Sequence, residues 1–277
     1  MPWATSPNPS TVRAVRRPSA SRSSGKWTSR KRRNMPRTSL ALARNLETSG
    51  MDIPIVALCG MASDSASWHG MPVDRIEVPR GPTIAAMAER IITKLPPRFA
   101  LCGHSMGGYV ALEIALREPD RLTALALICS SATPDTPEQY AARWALIDLA
   151  LRDFEMVARR LARALPGPKA KADQVFVNDL EAMIVRCGVE AFVEQQEAVA
   201  NRPDYRDRLS SIVVSTMVLA GAEDRIVAPD RSREIADLVP SCTLQIIPEC
   251  GHIPQWERPA LVHSALDKWR NTATENH

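Results

Sequence analysis

Short apolar segments alternate with longer amphipathic ones over most of the chain. The apolar segments are the length of strands buried on both faces, and they lie at residues 53–58, 73–78, 98–103, 123–129, 215–220 and 243–247. Apolar positions at helical spacing follow them at residues 82–95, 106–117, 230–238 and 258–270. This alternation predicts an α/β fold with a doubly wound, mostly parallel sheet of about six core strands.

One long interval interrupts the alternation. Residues 134–209 show no convincing strand, and their helical stretches lie at residues 139–149, 154–165, 171–186 and 190–200. An interval this long is not an ordinary loop, because connections beyond about 12–15 residues are uncommon in compact domains. We therefore expect residues 134–209 to form a helical cap above an α/β core built from residues 51–133 and 210–277.

The N-terminal residues 1–50 differ in composition from the rest. Residues 1–38 contain ten Lys or Arg and no Asp or Glu, and they have few apolar side chains to offset the entropy of ordering. We predict a disordered extension. Three interpretations stay open: a non-functional tail, with translation starting at Met51; an organelle transit peptide; or a basic arm for nucleic acid or lipid.

Composition narrows the function classes. Without residues 1–38 the chain is mildly acidic, with 25 basic against 31 acidic residues, so the overall charge of +4 gives no reason to expect nucleic-acid binding. No apolar run approaches a membrane span, and no secretory signal is evident. The six cysteines form no CxxC pair, which suggests reduced thiols and a cytoplasmic location. Neither a metal-ligand cluster nor a dinucleotide fingerprint is present, so we expect no metal and no cofactor.

The strongest chemical motif is Gly103-His104-Ser105-Met106-Gly107. It follows a predicted strand and precedes a predicted helix, which is the context in which a GxSxG motif marks a nucleophile. The sharp turn places the serine in a strained conformation and leaves its hydroxyl exposed above the sheet. The N-terminus of the next helix supplies N–H groups and positive potential beside it. We therefore predict Ser105 as a nucleophile.

A serine hydroxyl needs an adjacent base, and that base needs an orienting carboxylate. Among the histidines, His252 is favoured because it follows a predicted strand and precedes the last helix, where parallel sheets place their chemistry. The other histidines are His69, His104, His263 and His277. For the carboxylate, Asp224 follows the preceding strand, with Glu223 and Asp230 as competitors.

An oxyanion hole would use backbone N–H groups. The N–H of Met106 comes directly after the nucleophile, and a second donor is expected in the loop after the first strand, at Met61.

These segments resemble the α/β-hydrolase superfamily, in the group that includes pimeloyl-carrier-protein methyl ester esterases and enol-lactonases. The resemblance covers about residues 53–270 and rests on Leu58-Cys59-Gly60-Met61, Gly103–Glu113, Leu219–Asp224 and Gly251–Pro254. It departs at Cys59, where many members have histidine, and in lacking two early strands, which implies a shortened sheet.

The resemblance and the residues together predict a serine hydrolase acting on a small carboxylic ester, thioester or lactone. A carbon–carbon bond hydrolase of the same fold and a non-catalytic ligand receptor are the alternatives. The expected partner is a small acyl substrate, with no nucleic acid and no membrane. We expect the large apolar side chains of the cap to pack its helices, some of them lining an acyl pocket. Arg202 and Arg206 are interpreted as solvated surface, with an anionic substrate as their alternative partner.

Overall fold

Six strands form one wholly parallel sheet in the computed structural model, which describes residues 53–275 and the side chains up to residue 271. The strands are β1 Ile55–Leu58, β2 Arg75–Glu77, β3 Phe99–His104, β4 Leu122–Ile128, β5 Ser215–Gly221 and β6 Cys242–Ile247. Their order in the sheet is β2-β1-β3-β4-β5-β6. The six predicted strands and the α/β fold class are thereby confirmed.

Ten helices complete the described part of the chain. They are α1 Ile84–Ile92, α2 Met106–Arg117, α3 Pro137–Arg152, α4 Phe154–Ala164, α5 Pro168–Lys171, α6 Gln174–Cys187, α7 Val189–Ala200, α8 Pro229–Leu238, α9 Pro254–Glu257 and α10 Pro259–Glu275. Short 3₁₀ helices add Ser65–Trp68 and Arg206–Ser211. None of the described helices has the length and apolar character to cross a membrane.

The helix predicted over residues 171–186 begins at Gln174, three residues later than expected. The chain leaves the helical conformation after α5, and α6 starts afresh at Gln174. Asp173 is the cause, because its side chain accepts hydrogen bonds from the amides of Val175 and Phe176. An aspartate capping the first turn of a helix favours a new start over continuation of the preceding one.

Both faces of the sheet are buried, as the continuous apolar strands predicted. Large side chains such as Leu101 and Leu125 face α1, α2 and α8, in one apolar cluster. The opposite face carries smaller side chains, including Ala100 and Ala126, and packs against α10.

The helices between β4 and β5 have a core of their own. Val157, Leu180, Met183 and Phe192 are buried together in a third apolar cluster, which also includes Ile253 from the loop after β6. Helices α3 to α7 thus occupy the interval predicted to be helical. The division into a core of residues 51–133 and 210–277 and a cap of residues 134–209 stays a prediction, and the extension of residues 1–50 lies outside the described residues.

The strand order identifies the edge of the sheet where a ligand would bind. From β1 the chain moves outward to β2 and then returns to the other side of β1 to form β3, so the winding direction reverses between β1 and β3. In open parallel sheets the loops at such a switch point diverge and leave a crevice at the carboxyl ends of the strands. The loop after β1 and the turn carrying Ser105 both lie at this point.

Gly107 allows the first turn of α2 to pack against the end of β1. A Cβ atom on Gly107 would lie 2.4 Å from the Leu58 carbonyl oxygen and 2.8 Å from that of Cys59, and both are backbone atoms that cannot move freely. The absence of a side chain here is therefore a packing requirement.

We expect Gly107→Ala to destabilise the fold by about 3 kcal/mol or more, because overpacking against backbone forces neighbouring elements apart. Urea unfolding followed by circular dichroism measures the change. The control is Gly70→Ala, whose Cβ meets nothing within 4 Å and which carries only the cost of a positive φ, about 1–2 kcal/mol. Equal losses in the two variants would contradict the packing argument.

Candidate active site

Ser105 lies on the sharp turn between β3 and α2 in a backbone conformation that L-residues rarely adopt, with φ 51° and ψ −117°. Its amide donates to the Ile128 carbonyl at 2.9 Å, which ties the turn to the end of β4. Strain of this kind persists only when surrounding contacts enforce it. Here the close packing at Gly103 and Gly107 enforces it.

The structure brings Ser105, His252 and Asp224 together. His252 Nε2 lies 2.9 Å from Ser105 Oγ, and His252 Nδ1 lies 2.7 Å from Asp224 Oδ2. Both ring nitrogens of the histidine are thus engaged, one with the hydroxyl and one with the carboxylate. The competing acids lie elsewhere, because Glu223 and Asp230 have exposed side chains.

Asp224 is a buried carboxylate that stays ionised. Burial alone would raise its pKa, but His252 and the amides of Val227 and Ile226 hold the pKa below its ordinary range. The amides of Ile226 and Val227 donate to Oδ1 at 2.8 and 3.0 Å, so Oδ2 is directed at the imidazole. A charged, fixed carboxylate orients the ring and stabilises its protonated form.

The remaining histidines lack this arrangement. His69 is exposed, and His263 pairs with Asp267 on the exposed side of α10, as expected for a partly exposed position. His277 lies outside the described residues. His104 is buried, and its ring contacts the backbone of His252.

His104 fixes the position of His252 through its main chain. His104 Nε2 lies 2.7 Å from the His252 carbonyl oxygen, and the two rings are 5.2 Å apart at their centroids. Burial, followed by the neighbouring His252, lowers the pKa of His104 from 6.5 to about 3. The ring is therefore neutral near neutral pH, and its Nε2 proton is donated to the carbonyl.

Glu257 holds the loop that carries His252. One carboxylate oxygen accepts from the amides of Gly251 and Gly167 at 2.8 and 2.9 Å, and the other accepts from Ile253 at 3.1 Å. The His252 amide donates to the Leu165 carbonyl at 2.9 Å. The base is thus braced by the segment after α4 as well as by its own loop.

Met61 and Met106, the predicted oxyanion donors, lie in the lining of the cavity to which Ser105 also contributes. Neither amide donates to another residue that the structure describes. Met106 is the first residue of α2, where helical amides lack an internal acceptor. The Met61 loop is fixed one residue later, because the Ala62 amide donates to Gln195 Oε1 at 2.9 Å.

Gln195 was missed by sequence reasoning. It lies on α7, is buried, and also donates to the Pro79 carbonyl at 3.1 Å. The available signal was a pair of glutamines, Gln195 and Gln196, within an otherwise apolar helix face.

A cavity of about 450 Å³ opens over the Ser105 hydroxyl. One wall is apolar and comes mostly from α4, α6 and α7, with Leu161, Leu180, Met183 and Phe192 among its residues. The polar part of the lining, called the polar wall below, includes Asp135, Arg143, Gln196 and Arg202. The size of the cavity suits a small molecule.

The interpretation of Arg202 as a solvated side chain is wrong. Its side chain is only 5% exposed and lines the cavity, paired with Asp135. Arg206 is exposed as expected and pairs with Asp204 and Glu234. Sequence could not separate the two arginines, because the partner of Arg202 lies 67 residues earlier in the chain.

Cys129, Asp224 and His252 have potential ligand atoms within 4.8 Å of one another. They do not form a suitable donor set for a metal. Burial raises the pKa of the Cys129 thiol well above its ordinary value, so the thiolate that a metal needs is disfavoured. The oxygens of Asp224 already accept hydrogen bonds from two amides and the imidazole.

Comparison with known proteins agrees with this geometry. The model of the alpha/beta hydrolase family matches residues 59–265, three quarters of the chain. The chain belongs to the alpha/beta hydrolase family. Among the described residues the sheet has six strands.

Related sequences carry several hydrolase names. The pimeloyl-[acyl-carrier protein] methyl ester esterase of Nitrosospira multiformis is 29% identical over 179 residues, which cover 61% of this chain and 66% of the relative. The pimeloyl-[acyl-carrier protein] methyl ester esterase of Nitrosomonas europaea is 24% identical over 80% of this chain and 98% of its own length. A 2-hydroxy-6-oxononadienedioate/2-hydroxy-6-oxononatrienedioate hydrolase of Burkholderia vietnamiensis is 30% identical, covering 58% of each chain.

Solved structures give the same result. An esterase from Thermogutta terrifontis, solved with malate bound, superposes with a TM-score of 0.73 at 26% identity, covering 81% of this chain and 92% of that one. The enol-lactonase of Burkholderia xenovorans, at 20% identity, shares the fold with a TM-score of 0.69 over 80% and 93% of the two chains. The expectation that this α/β hydrolase is an enzyme is confirmed by these hydrolase relatives.

The buried His104 makes stability depend on pH. Its folded-state pKa of about 3 lies below the ordinary 6.5, so between these values the unfolded chain binds a proton that the folded chain does not. Stability therefore falls as pH decreases through this window. At pH 5 the loss from this residue is roughly 2 kcal/mol relative to pH 7.

We expect His104→Gln to flatten this dependence, because the glutamine amide can still donate to the His252 carbonyl but does not titrate. Urea unfolding of both proteins at pH 7, 6 and 5 measures it. An unchanged slope in the variant would show that His104 is not the group responsible.

We expect Gln195→Leu to release the Met61 loop. The substitution keeps the volume but leaves the Ala62 amide without its acceptor, which costs about 1–3 kcal/mol of stability. Hydrogen exchange at residues 60–63 should accelerate. Gln174→Leu, at an exposed glutamine on α6, is the control and should leave that exchange unchanged; no acceleration in Gln195→Leu would contradict the brace.

Proposed function

We propose that the chain is a serine hydrolase that cleaves a small carboxylic ester, thioester or lactone through an acyl-enzyme on Ser105. The observation that carries the proposal is the continuous hydrogen-bonded relay from Asp224 through His252 to Ser105, opening into a cavity. Relays of this kind lower the barrier to attack by a hydroxyl that is a weak nucleophile by itself.

In the first half of the reaction, His252 Nε2 removes the Ser105 proton as Oγ attacks the substrate carbonyl carbon. The imidazolium that forms is stabilised by the ionised Asp224. Collapse of the tetrahedral intermediate expels the leaving group, to which His252 returns the proton. Water then attacks the acyl-enzyme by the same proton path in reverse, which releases the acid and restores Ser105.

The amides of Met61 and Met106 would stabilise the oxyanion of both tetrahedral intermediates. Their contribution depends on being fixed in advance, because donors that need no rearrangement stabilise the developing charge at no cost in reorganisation. The bracing of the Met61 loop by Gln195 and the helical position of Met106 support this role.

Hydrolysis of a carbon–carbon bond beside a carbonyl is the second candidate. The relative from Burkholderia vietnamiensis, which is 30% identical, favours this second candidate, because its name is that of a hydrolase acting on an oxo-dioate. The relay would serve either reaction. Assays with esters distinguish it, because a carbon–carbon hydrolase should turn over activated esters far more slowly than its own substrate.

The geometry of the site disfavours a non-catalytic ligand receptor on the same fold. Binding a ligand requires neither an imidazole between a hydroxyl and a carboxylate nor a strained serine. The strain at Ser105 is hard to account for without a reaction that needs the exposed hydroxyl.

The decisive test is Ser105→Ala. We expect the wild-type protein to hydrolyse short p-nitrophenyl esters and to be labelled by a fluorophosphonate at Ser105. The variant should lose labelling, and its kcat should fall on the order of 10⁴- to 10⁶-fold, because the nucleophile is gone.

Ser131→Ala is the matched control, since Ser131 also lines the cavity but its hydroxyl bonds to Thr133. It should keep the label. Labelling of another residue, or turnover that survives Ser105→Ala, would sink the assignment of the nucleophile.

A further inference from the structure

The polar wall of the cavity contains two guanidinium groups that share one carboxylate. Arg202 Nη1 lies 2.6 Å from Asp135 Oδ1, and Arg143 Nε donates to Asp135 Oδ2. Burial opposes ionisation of Asp135, but Arg143 and Arg202 hold its pKa below the ordinary value. The cluster of Asp135, Arg143 and Arg202 therefore carries a net charge of +1.

Arg202 has a structural role that accounts for its charge. It donates to the carbonyls of Thr133 and Val199 at 2.8 and 3.0 Å, and its guanidinium lies 4.7 Å from the centre of the Tyr109 ring. Through Asp135 it joins the chain before α3 to the chain after α7. This ion pair is complete without a second arginine.

Arg143 bonds the same carboxylate through Nε and Nη2 but is the more exposed of the two arginines. It comes from α3, donates through Nη1 to Gln196 Oε1 at 2.8 Å, and has a side chain that is 24% exposed while lining the cavity. A guanidinium has five N–H donors in a planar fork, which suits a carboxylate of a ligand. Gln196 and Asp135 hold the fork in place, so little entropy is lost when a ligand binds.

The rest of the cavity adds positive charge. Arg225 and Arg231, from the segment after β5, also line it, and Asp135 is the one carboxylate among the described lining residues. Arg231 pairs with Glu234, whereas Arg225 is exposed and has no ion pair with another described residue. A cleft with charges of one sign and low-dielectric walls concentrates ligands of the opposite sign.

We propose that the substrate of this cavity is an ester that also carries a carboxylate, which Arg143 binds on the polar wall while the ester carbonyl lies at Ser105. This deepens the proposed function and rests on it for the ester. The cavity volume of about 450 Å³ fits a small half-ester or acyl chain of this type. Glutarate and adipate half-esters have this chemistry.

The wild-type protein tests the substrate class directly. Mono-p-nitrophenyl glutarate and p-nitrophenyl pentanoate have acyl chains of similar length and differ in the terminal carboxylate; 4-acetoxybenzoate and 4-acetoxybenzamide place the same difference on the leaving group. In one of the pairs kcat/KM should be about 10- to 100-fold higher for the anion, as expected for a charge-assisted hydrogen bond. No preference for the anion in either pair overturns the proposal.

The variant Arg143→Gln tests the residue. It should lower the anionic-to-neutral ratio of kcat/KM toward one, mainly through KM of the anionic ester. Arg206→Gln is the matched control, because Arg206 is exposed and does not line the cavity, and it should leave the ratio unchanged. A ratio that survives Arg143→Gln overturns the assignment to Arg143.

Binding to Ser105→Ala separates this inference from the proposed function. Isothermal titration calorimetry should show that glutarate binds and that glutaramide binds at least 10-fold more weakly. Adding Arg143→Gln to this variant should lower its affinity for glutarate. This result holds whether or not Ser105 is the nucleophile. Binding of inorganic phosphate without glutarate, or equal binding of glutarate and glutaramide, overturns the carboxylate site.

Discussion

The close approach of α2 to the ends of β1 and β3 is the constraint on which the site depends. Gly103 and Gly107 have backbone atoms where side chains would otherwise be, so the first turn of the helix lies against the strand ends. That packing imposes the positive φ of Ser105, and Met106 follows as the first residue of the helix. The strand order then brings the loop with Met61 to the same crevice, since the winding of the sheet reverses between β1 and β3.

Much of the fold could be predicted because its signals are local. Strands buried on both faces are continuous apolar runs, and each of the six could be found from its own residues. The exact ends of the helices were harder to predict from the sequence. Asp173 divides a helical stretch by capping a new helix, and a capping side chain competes with helix continuation through hydrogen bonds that apolar periodicity does not reveal.

The candidate site was predictable where chain order and turn chemistry specify it, as for Ser105, Asp224 and His252. The residues that brace it were not. His104, Gln195 and Glu257 act through backbone groups of segments far away in sequence, and a backbone carbonyl or amide leaves no trace in residue identity. Arg202 was misinterpreted for a related reason: a charged side chain is exposed by default, and its burial depends on the carboxylate of Asp135, which only the folded chain brings near.

Glu257 connects the helices between β4 and β5 to the loop that positions the His252 imidazole. Its carboxylate accepts hydrogen bonds from the amide of Gly167, which connects two of those helices, and from the loop that carries His252. The His252 amide donates to the carbonyl of Leu165 in the same connection. The helical region is therefore not an exchangeable module. A chimera that imports these helices from a relative to change substrate range would have to retain the backbone path through residues 165–167, or it would alter the position of the imidazole along with the shape of the cavity.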